Sequence, residues 1–204
     1  MNTTASDQGH LVELDTRQPI WERFFWLAPL VLVGTREADG GHDLAPKHMA
    51  MPMSWKNYFG FVCTPRHRTY QNIQRDGMFT VSFPHPSQLV LTSLAASPRC
   101  EEDSKPALTA LPVFDASHVK GVLVEGAYLF LECELFRVFD DFGENSLIVG
   151  DVVGAWIDAR RLRSPDVDDG QMLHDHPLLA YLHPGRFSSI TDSNSFPFPA
   201  GMKK

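Results

Sequence analysis

Arg66, His67, Arg68 and Thr69 stand in a row, behind the apolar run Tyr58-Phe59-Gly60-Phe61-Val62-Cys63 and ahead of the short helical pattern Tyr70-Gln71-Asn72-Ile73. The first N–H groups of a helix have no partner inside the helix. A helix start flanked by arginines and a hydroxyl is therefore suited to hold an anion such as a phosphate. A solvated basic turn is the competing reading of the same residues. Other chemistries are served less well. No Gly-x-Ser-x-Gly turn, P-loop or Gly-x-Gly-x-x-Gly fingerprint occurs in the chain. His174, His176 and His183 come without an acid or cysteine at a recognised ligand spacing, so no metal site is expected. A nucleotide-like cofactor held at the basic loop is the first expectation.

The surrounding elements must position that loop. Apolar runs and turn residues predict strands near 30–36, 43–54 and 57–63. A short helix is expected over about 70–76, with Thr69 as its N-cap and Gly77 as its stop. Phe79, Val81 and Phe83 alternate with Thr80 and Ser82, which predicts a half-buried strand. Residues 86–96 read as helical, 98–112 as a charged, proline-bearing excursion, and 166–175 as an acidic loop. Long strands are expected from Leu129 to Phe139 and from Ser146 to Ile157. In the first of these Leu129, Leu131, Cys133 and Leu135 share one face, and Glu132 and Glu134 the other. The aromatic entry segment from Trp21 to Pro29 reads as a short helix, and the Phe196-Pro197-Phe198-Pro199 tail as irregular. Met49, Met51 and Met53 alternate as core-facing residues would. Many strands and few helices argue for a β-barrel or sandwich.

Composition sets outer limits. The chain of 204 residues fits one domain. A net charge of −7 argues against broad nucleic-acid binding. No uncharged apolar run approaches the roughly 18 residues of a membrane helix. Cys63, Cys100 and Cys133 are an odd number without a CxxC spacing. Free thiols, no signal-peptide pattern at the N-terminus and a cytoplasmic location are expected.

From Leu30 to Phe83 the chain also resembles the flavin reductase-like family, the FMN-binding split barrels. The resemblance rests on Gly34-Thr35-Arg36, Asp39-Gly40, Asp43-Leu44-Ala45-Pro46, Arg68-Thr69-Tyr70-Gln71-Asn72-Ile73 and Phe79-Thr80-Val81-Ser82, in the family's order. It continues at Val149-Gly150-Asp151-Val152-Val153 and at Tyr181-Leu182-His183-Pro184-Gly185-Arg186-Phe187. It implies a mainly β Greek-key split barrel with a few short helices. A single domain would span 19–204, including a C-terminal tail, after a flexible segment 1–18.

The resemblance further implies FMN in preference to FAD, a homodimer, and NAD(P)H-dependent flavin reduction by hydride transfer from nicotinamide to flavin N5. An FMN-containing electron carrier, or a flavin-dependent oxidase or oxygenase acting on a small molecule, remains the alternative. Carried over by position, Arg68 and Thr69, with Arg66, meet the phosphate end. Lys47, His48 and Met49 run along the ring system, where many members have a Phe-Ser-type pair. Ser82 and Phe83 border the flavin, Ser82 standing where the family often has Asn. His183 is the catalytic candidate and Arg186 its neighbour in a loop closing over the flavin face, where Phe187 replaces a tyrosine.

Overall fold

The computed structural model describes residues 10–202. Residues 1–9 of the expected flexible segment lie outside the described residues, and 10–18 are mostly exposed. The elements, in order, are β1 (Trp26–Pro29), β2 (Val31–Arg36), β3 (His42–Lys47), β4 (Ala50–Pro52), β5 (Tyr58–Cys63), α1 (Arg68–Asp76) and β6 (Met78–Phe83). Then follow α2 (Leu89–Leu94), β7 (Val113–Asp115), β8 (Val122–Val124), β9 (Leu129–Phe142), β10 (Asn145–Ile157), α3 (Asp169–Asp175), β11 (Leu178–His183) and β12 (Arg186–Ile190). The fold is a mainly β split barrel with a few short helices, as the resemblance implied.

The strand order explains the split. Seven strands form one sheet in the order β3-β2-β6-β9-β10-β5-β4. β3 and β4 are its two outer edges, yet only His48 and Met49 separate them in sequence. Three peptide steps reach about 10 Å at most. The sheet must therefore curl until its edges meet, and the crossing His48-Met49 becomes a seam. The Met49 carbonyl accepts the Val62 N–H at 2.9 Å, which ties the crossing to β5.

Inside the curl, Val31, Val33, Phe59, Phe61, Ile73, Phe79, Val81 and Ile148 form one core. A second core lies on the outer face, where Leu32 and Leu44 meet Ala95, Leu108, Leu111, Val122 and Val124. The excursion after α2 and the β7–β8 hairpin cover that face. This corrects two expectations. Thr80 and Ser82 are buried, not half-exposed: Thr80 donates to the Val122 carbonyl, and Ser82 Oγ accepts the Val124 N–H at 3.0 Å. Glu132 is fully buried as well. Its carboxylate accepts the backbone N–H groups of Ser117, His118 and Val119, all in the β7–β8 turn. Gly34 lies under this lid, and a Cβ there would collide with Thr80 Oγ1 and the Val122 carbonyl.

Three further readings change. The entry segment supplies β1, which pairs with β11 to start a second, three-stranded sheet β1-β11-β12. Residues 169–175 of the acidic stretch form α3, because the Asp168 side chain accepts the Gln171 N–H at 2.9 Å as an N-cap. α1 begins at Arg68, two residues earlier than expected, so that His67 and not Thr69 is the N-cap, without a side-chain cap bond. Gly77 stops α1 as expected, at φ +69°.

Candidate functional site

Most of the sequence candidates fall in two groups, one around His48 on the crossing and one around Lys47 at the β3 end of it. The first group is built of rings. His48, on the crossing, packs against Tyr181 with ring centroids 4.7 Å apart and stacks on His183 at 5.5 Å. Trp26 closes the pile, 5.7 Å from His48 and 5.2 Å from His183. Strand register makes this possible, since Trp26 on β1 lies directly across from His183 on β11. The Tyr181 hydroxyl accepts the Gly185 N–H at 2.9 Å and so fixes the β11–β12 turn.

Burial, then His183 and Lys47, push the His48 pKa below its ordinary value. Two nitrogens of the pile, Trp26 Nε1 and His183 Nδ1, are buried without a hydrogen-bond partner among the described residues. A cavity of about 570 Å³ opens beside it, with Pro46, His48, Tyr181 and Arg186 on one side and apolar Leu89 and Leu94 of α2 on the other. A larger cavity of about 1170 Å³ lies around α3 and Arg161. No candidate residue lines that one, so size alone does not choose between them.

The second group is built of charges around α1. Lys47, at the end of β3, is 8% exposed. Its ammonium donates to the Cys63 sulfur at 3.3 Å, and among the described residues it has no carboxylate partner. Burial pushes the Cys63 thiol up, and Lys47 opposes that push. His67 adjoins this pair: burial, then Lys47 and Arg66, lower its pKa. The nine-residue helix α1 points its uncapped start here.

Other candidates at this end already have partners. Thr69 donates its hydroxyl to Asp43 Oδ2 at 3.1 Å. Arg68 pairs with Glu37 at 3.7 Å and with Asp103. Arg66 is exposed and reaches Glu144 at 3.3 Å. The remaining candidates are dispersed. Met49 is partly exposed, Ser82 holds β8, and Phe83 packs edge-on against Phe59 and Tyr128 inside the fold.

Sequence reasoning missed Trp26, Tyr181 as a ring partner, and the buried carboxylate Asp43 with its cations Arg99 and Lys105. Asp43 lay inside a quoted motif. Nothing local connects it to residues in the excursion. Among the described residues no cluster of three or more His, Cys, Asp or Glu could hold a metal ion, and no helix is long and apolar enough to cross a membrane.

The donor set fits a flavin mononucleotide. An aromatic pile with orphaned ring nitrogens suits a flat heteroaromatic ring, and a buried lysine beside an open helix start suits a phosphate.

Known proteins bear on this geometry. A chain from Methanothermobacter thermautotrophicus, an uncharacterized protein, is 27% identical over 131 residues, which is 61% of each chain. Among solved structures, Pseudomonas fluorescens 2-nitrobenzoate 2-nitroreductase NbaA matches at a TM-score of 0.77 and 16% identity over 99% of both chains. Flavoredoxin of Desulfovibrio vulgaris (Miyazaki F) matches at 0.74 and 18%, over 94% of this chain and all of that one. The FMN-binding protein from Thermus thermophilus with bound 1-cyclohex-2-enone matches at 0.74 and 21%, over 92% of this chain and 99% of that one. At these identities the structures establish the shared fold. A family model described as "Flavin reductase like domain" matches residues 26–188, most of the described chain, and the protein belongs to the flavin reductase-like family.

Proposed function

We propose that the protein binds FMN at the seam and acts as an NAD(P)H-dependent flavin oxidoreductase. The observation that carries the reading is Lys47: a buried ammonium without a carboxylate partner, next to the uncapped start of α1. Lys47, His67 and the first N–H groups of α1 hold the phosphate. Arg68 and Thr69 support that loop, and Arg66 gives it positive charge from the surface. His48, Tyr181 and Trp26 border the ring system. Bound FMN supplies the hydride acceptor, with the nicotinamide as donor. His183 orients the reacting partner from its place in the pile. Arg186 stands at the cavity mouth, placed to meet an anionic group on the incoming molecule.

The apolar α2 wall of the cavity favours a second reading, in which the final electron acceptor is a small organic molecule. The resemblance in fold to a 2-nitrobenzoate nitroreductase agrees with it. Exposed Phe136, Phe139 and Phe142 on β9, and Phe196 and Phe198 in the tail, support a homodimer. Three free cysteines fit a reducing, cytoplasmic setting.

Anaerobic mixing of the FMN-loaded protein with NADH or NADPH tests the function. Loss of the oxidised-flavin absorbance within seconds is expected. A protein that binds FMN but is reduced by neither nucleotide removes the reductase reading. Reoxidation by a protein partner, and not by free flavin or small acceptors, identifies a carrier. Sedimentation of a monomer at full FMN occupancy removes the homodimer.

A further inference from the structure

The excursion between α2 and β7 reaches back to the phosphate end. Its residue Arg99 donates to Asp43 Oδ1 at 3.1 Å and pairs with Glu37. Lys105, also in the excursion, lies 3.7 Å from the same Asp43 oxygen and donates to the Leu44 carbonyl at 2.8 Å. Asp43 is 3% exposed on β3. Its other oxygen accepts the Thr69 hydroxyl at 3.1 Å. Thr69 is the second residue of α1, and Arg68, the first, pairs with Glu37 and with Asp103 at the tip of the excursion. Both opening residues of the helix are thus tied through carboxylates to a segment about thirty residues further along the chain.

We infer that Arg99 and Lys105 are positioning residues for phosphate binding, acting through Asp43 on Thr69 and the start of α1. The inference rests on the FMN reading above. A carboxylate buried at Asp43 needs charge compensation, because an unpaired buried charge is strongly unfavourable. Arg99 and Lys105 supply it from opposite sides of the excursion. With its charge matched, Asp43 holds the Thr69 hydroxyl as a donor. Thr69 then has no proton to give a phosphate, and its part is to fix the backbone N–H groups that do. Lys105 adds a second hold by pinning the β3 backbone at Leu44, three residues before Lys47. Without the two cations Asp43 turns toward water or binds Lys47 instead. Either change disturbs the phosphate site and leaves the ring pile around His48 in place.

The test measures flavin fluorescence on titration of FMN and of riboflavin, which lacks the phosphate. Arg99→Ala is expected to weaken FMN about tenfold, on the scale of one hydrogen bond to a charged group, and riboflavin by less than about twofold. Arg99→Lys, which keeps the charge, should recover most of the loss. Asp43→Asn removes the need for compensation and leaves Thr69 an acceptor. In that background Arg99→Ala should add little, and this pair of variants decides the matter even if Arg99→Ala alone does not fold. Equal weakening of both ligands overturns the inference, as does unchanged FMN affinity with only a lower melting temperature. Unmodified protein that binds neither flavin overturns the FMN reading itself, and the inference with it, a result distinct from selective behaviour of the variants.

Discussion

At one end of the seam His48, Tyr181, His183 and Trp26 meet through ring faces and edges, and two of their nitrogens have no partner. At the other end Asp43, Glu37 and Asp103 are answered by Arg68, Arg99, Lys105 and Thr69, and the buried ammonium of Lys47 is left without a carboxylate among the described residues. The ring end is aromatic and incomplete. The charged end is nearly complete and holds one spare cation. A ligand fitting both must carry a flat polar-edged ring and an anion, with a linker between them. The difference also sorts groups that a ligand can complete from groups the protein completes itself. Unpartnered groups at the ring end cost the empty protein something that a ligand can return. Partnered groups at the charged end hold the fold, with or without ligand.

The largest expected effect tests that division. Asp43→Ala strips a buried acceptor from Thr69, Arg99 and Lys105, and leaves Lys105 without a carboxylate while Arg99 keeps Glu37. Breaking a buried pair in this way costs about 3–5 kcal/mol, read as a fall in urea midpoint at constant slope. A loss below about 1 kcal/mol would place Asp43 with the exposed ion pairs, which contribute little, and erase the contrast.

Lys47→Met comes next. It keeps the length of the side chain and removes the spare charge. FMN affinity should fall by about 1.5–3 kcal/mol, the range for a hydrogen bond to a charged group. Riboflavin affinity and the unfolding midpoint should barely move. Equal losses for both flavins would mean that Lys47 contacts the ring system, and that the two ends are not chemically separate.

How far the sequence revealed these ends follows from what each depends on. The stop at Gly77 was legible because a left-handed helix end is a local signal, whereas the start fell two residues earlier than the expected cap at Thr69 implied. Several strands were legible because alternation and turn residues are local too, but 43–54, expected as one strand, is split into β3 and β4, and β1 was expected as helix. The seam was not legible, since it depends on the pairing order of seven strands. Thr80, Ser82 and Glu132 read as solvent-facing because polar residues in alternation report a single apolar face. Here the β7–β8 hairpin covers the other face and satisfies each polar group. Asp43 and Arg99 are 56 residues apart, and no periodicity links a strand residue to a charge in a distant excursion. Trp26 lay in a segment read as helical. Its pairing with His183 comes from β1 joining β11 across nearly the whole chain.

A smaller effect separates cost from use at the ring end. His183→Phe keeps an aromatic ring in the pile and removes the orphaned nitrogen. Burial of an unpartnered polar group costs about 1–3 kcal/mol, so the flavin-free variant should melt at or above the temperature of the unmodified protein. With FMN bound, reduction by NAD(P)H should slow by about tenfold or more, equivalent to about 1.4 kcal/mol in the barrier. Stopped-flow bleaching at equal FMN occupancy measures the rate. A destabilised variant with an unchanged rate would make His183 a structural residue and leave the ring end without a reacting group.

The smallest effect is a proton count. His48 at the ring end and His67 at the charged end are both held below the ordinary value of 6.5, by burial first. In the unfolded chain both titrate near that value. Below it the unfolded state therefore binds more protons than the folded one, and stability declines as pH falls through 6.5 toward the folded values. Above that range the two histidines contribute no slope. A phosphate bound beside His67 favours its protonated form and raises its pKa. FMN binding should then take up part of a proton there, and acidification toward pH 6 should favour binding. FMN loses phosphate charge over the same range, so the unmodified protein is compared with His67→Gln at each pH, where the ligand's own titration cancels. The ratio of their FMN affinities should grow as pH falls, and the same ratio for riboflavin should stay flat. His48→Gln should leave the FMN ratio flat as well, because the proposed phosphate position lies at the charged end. A ratio that grows for His48 and not for His67 would place the phosphate at the aromatic pile and reverse the assignment of the two ends.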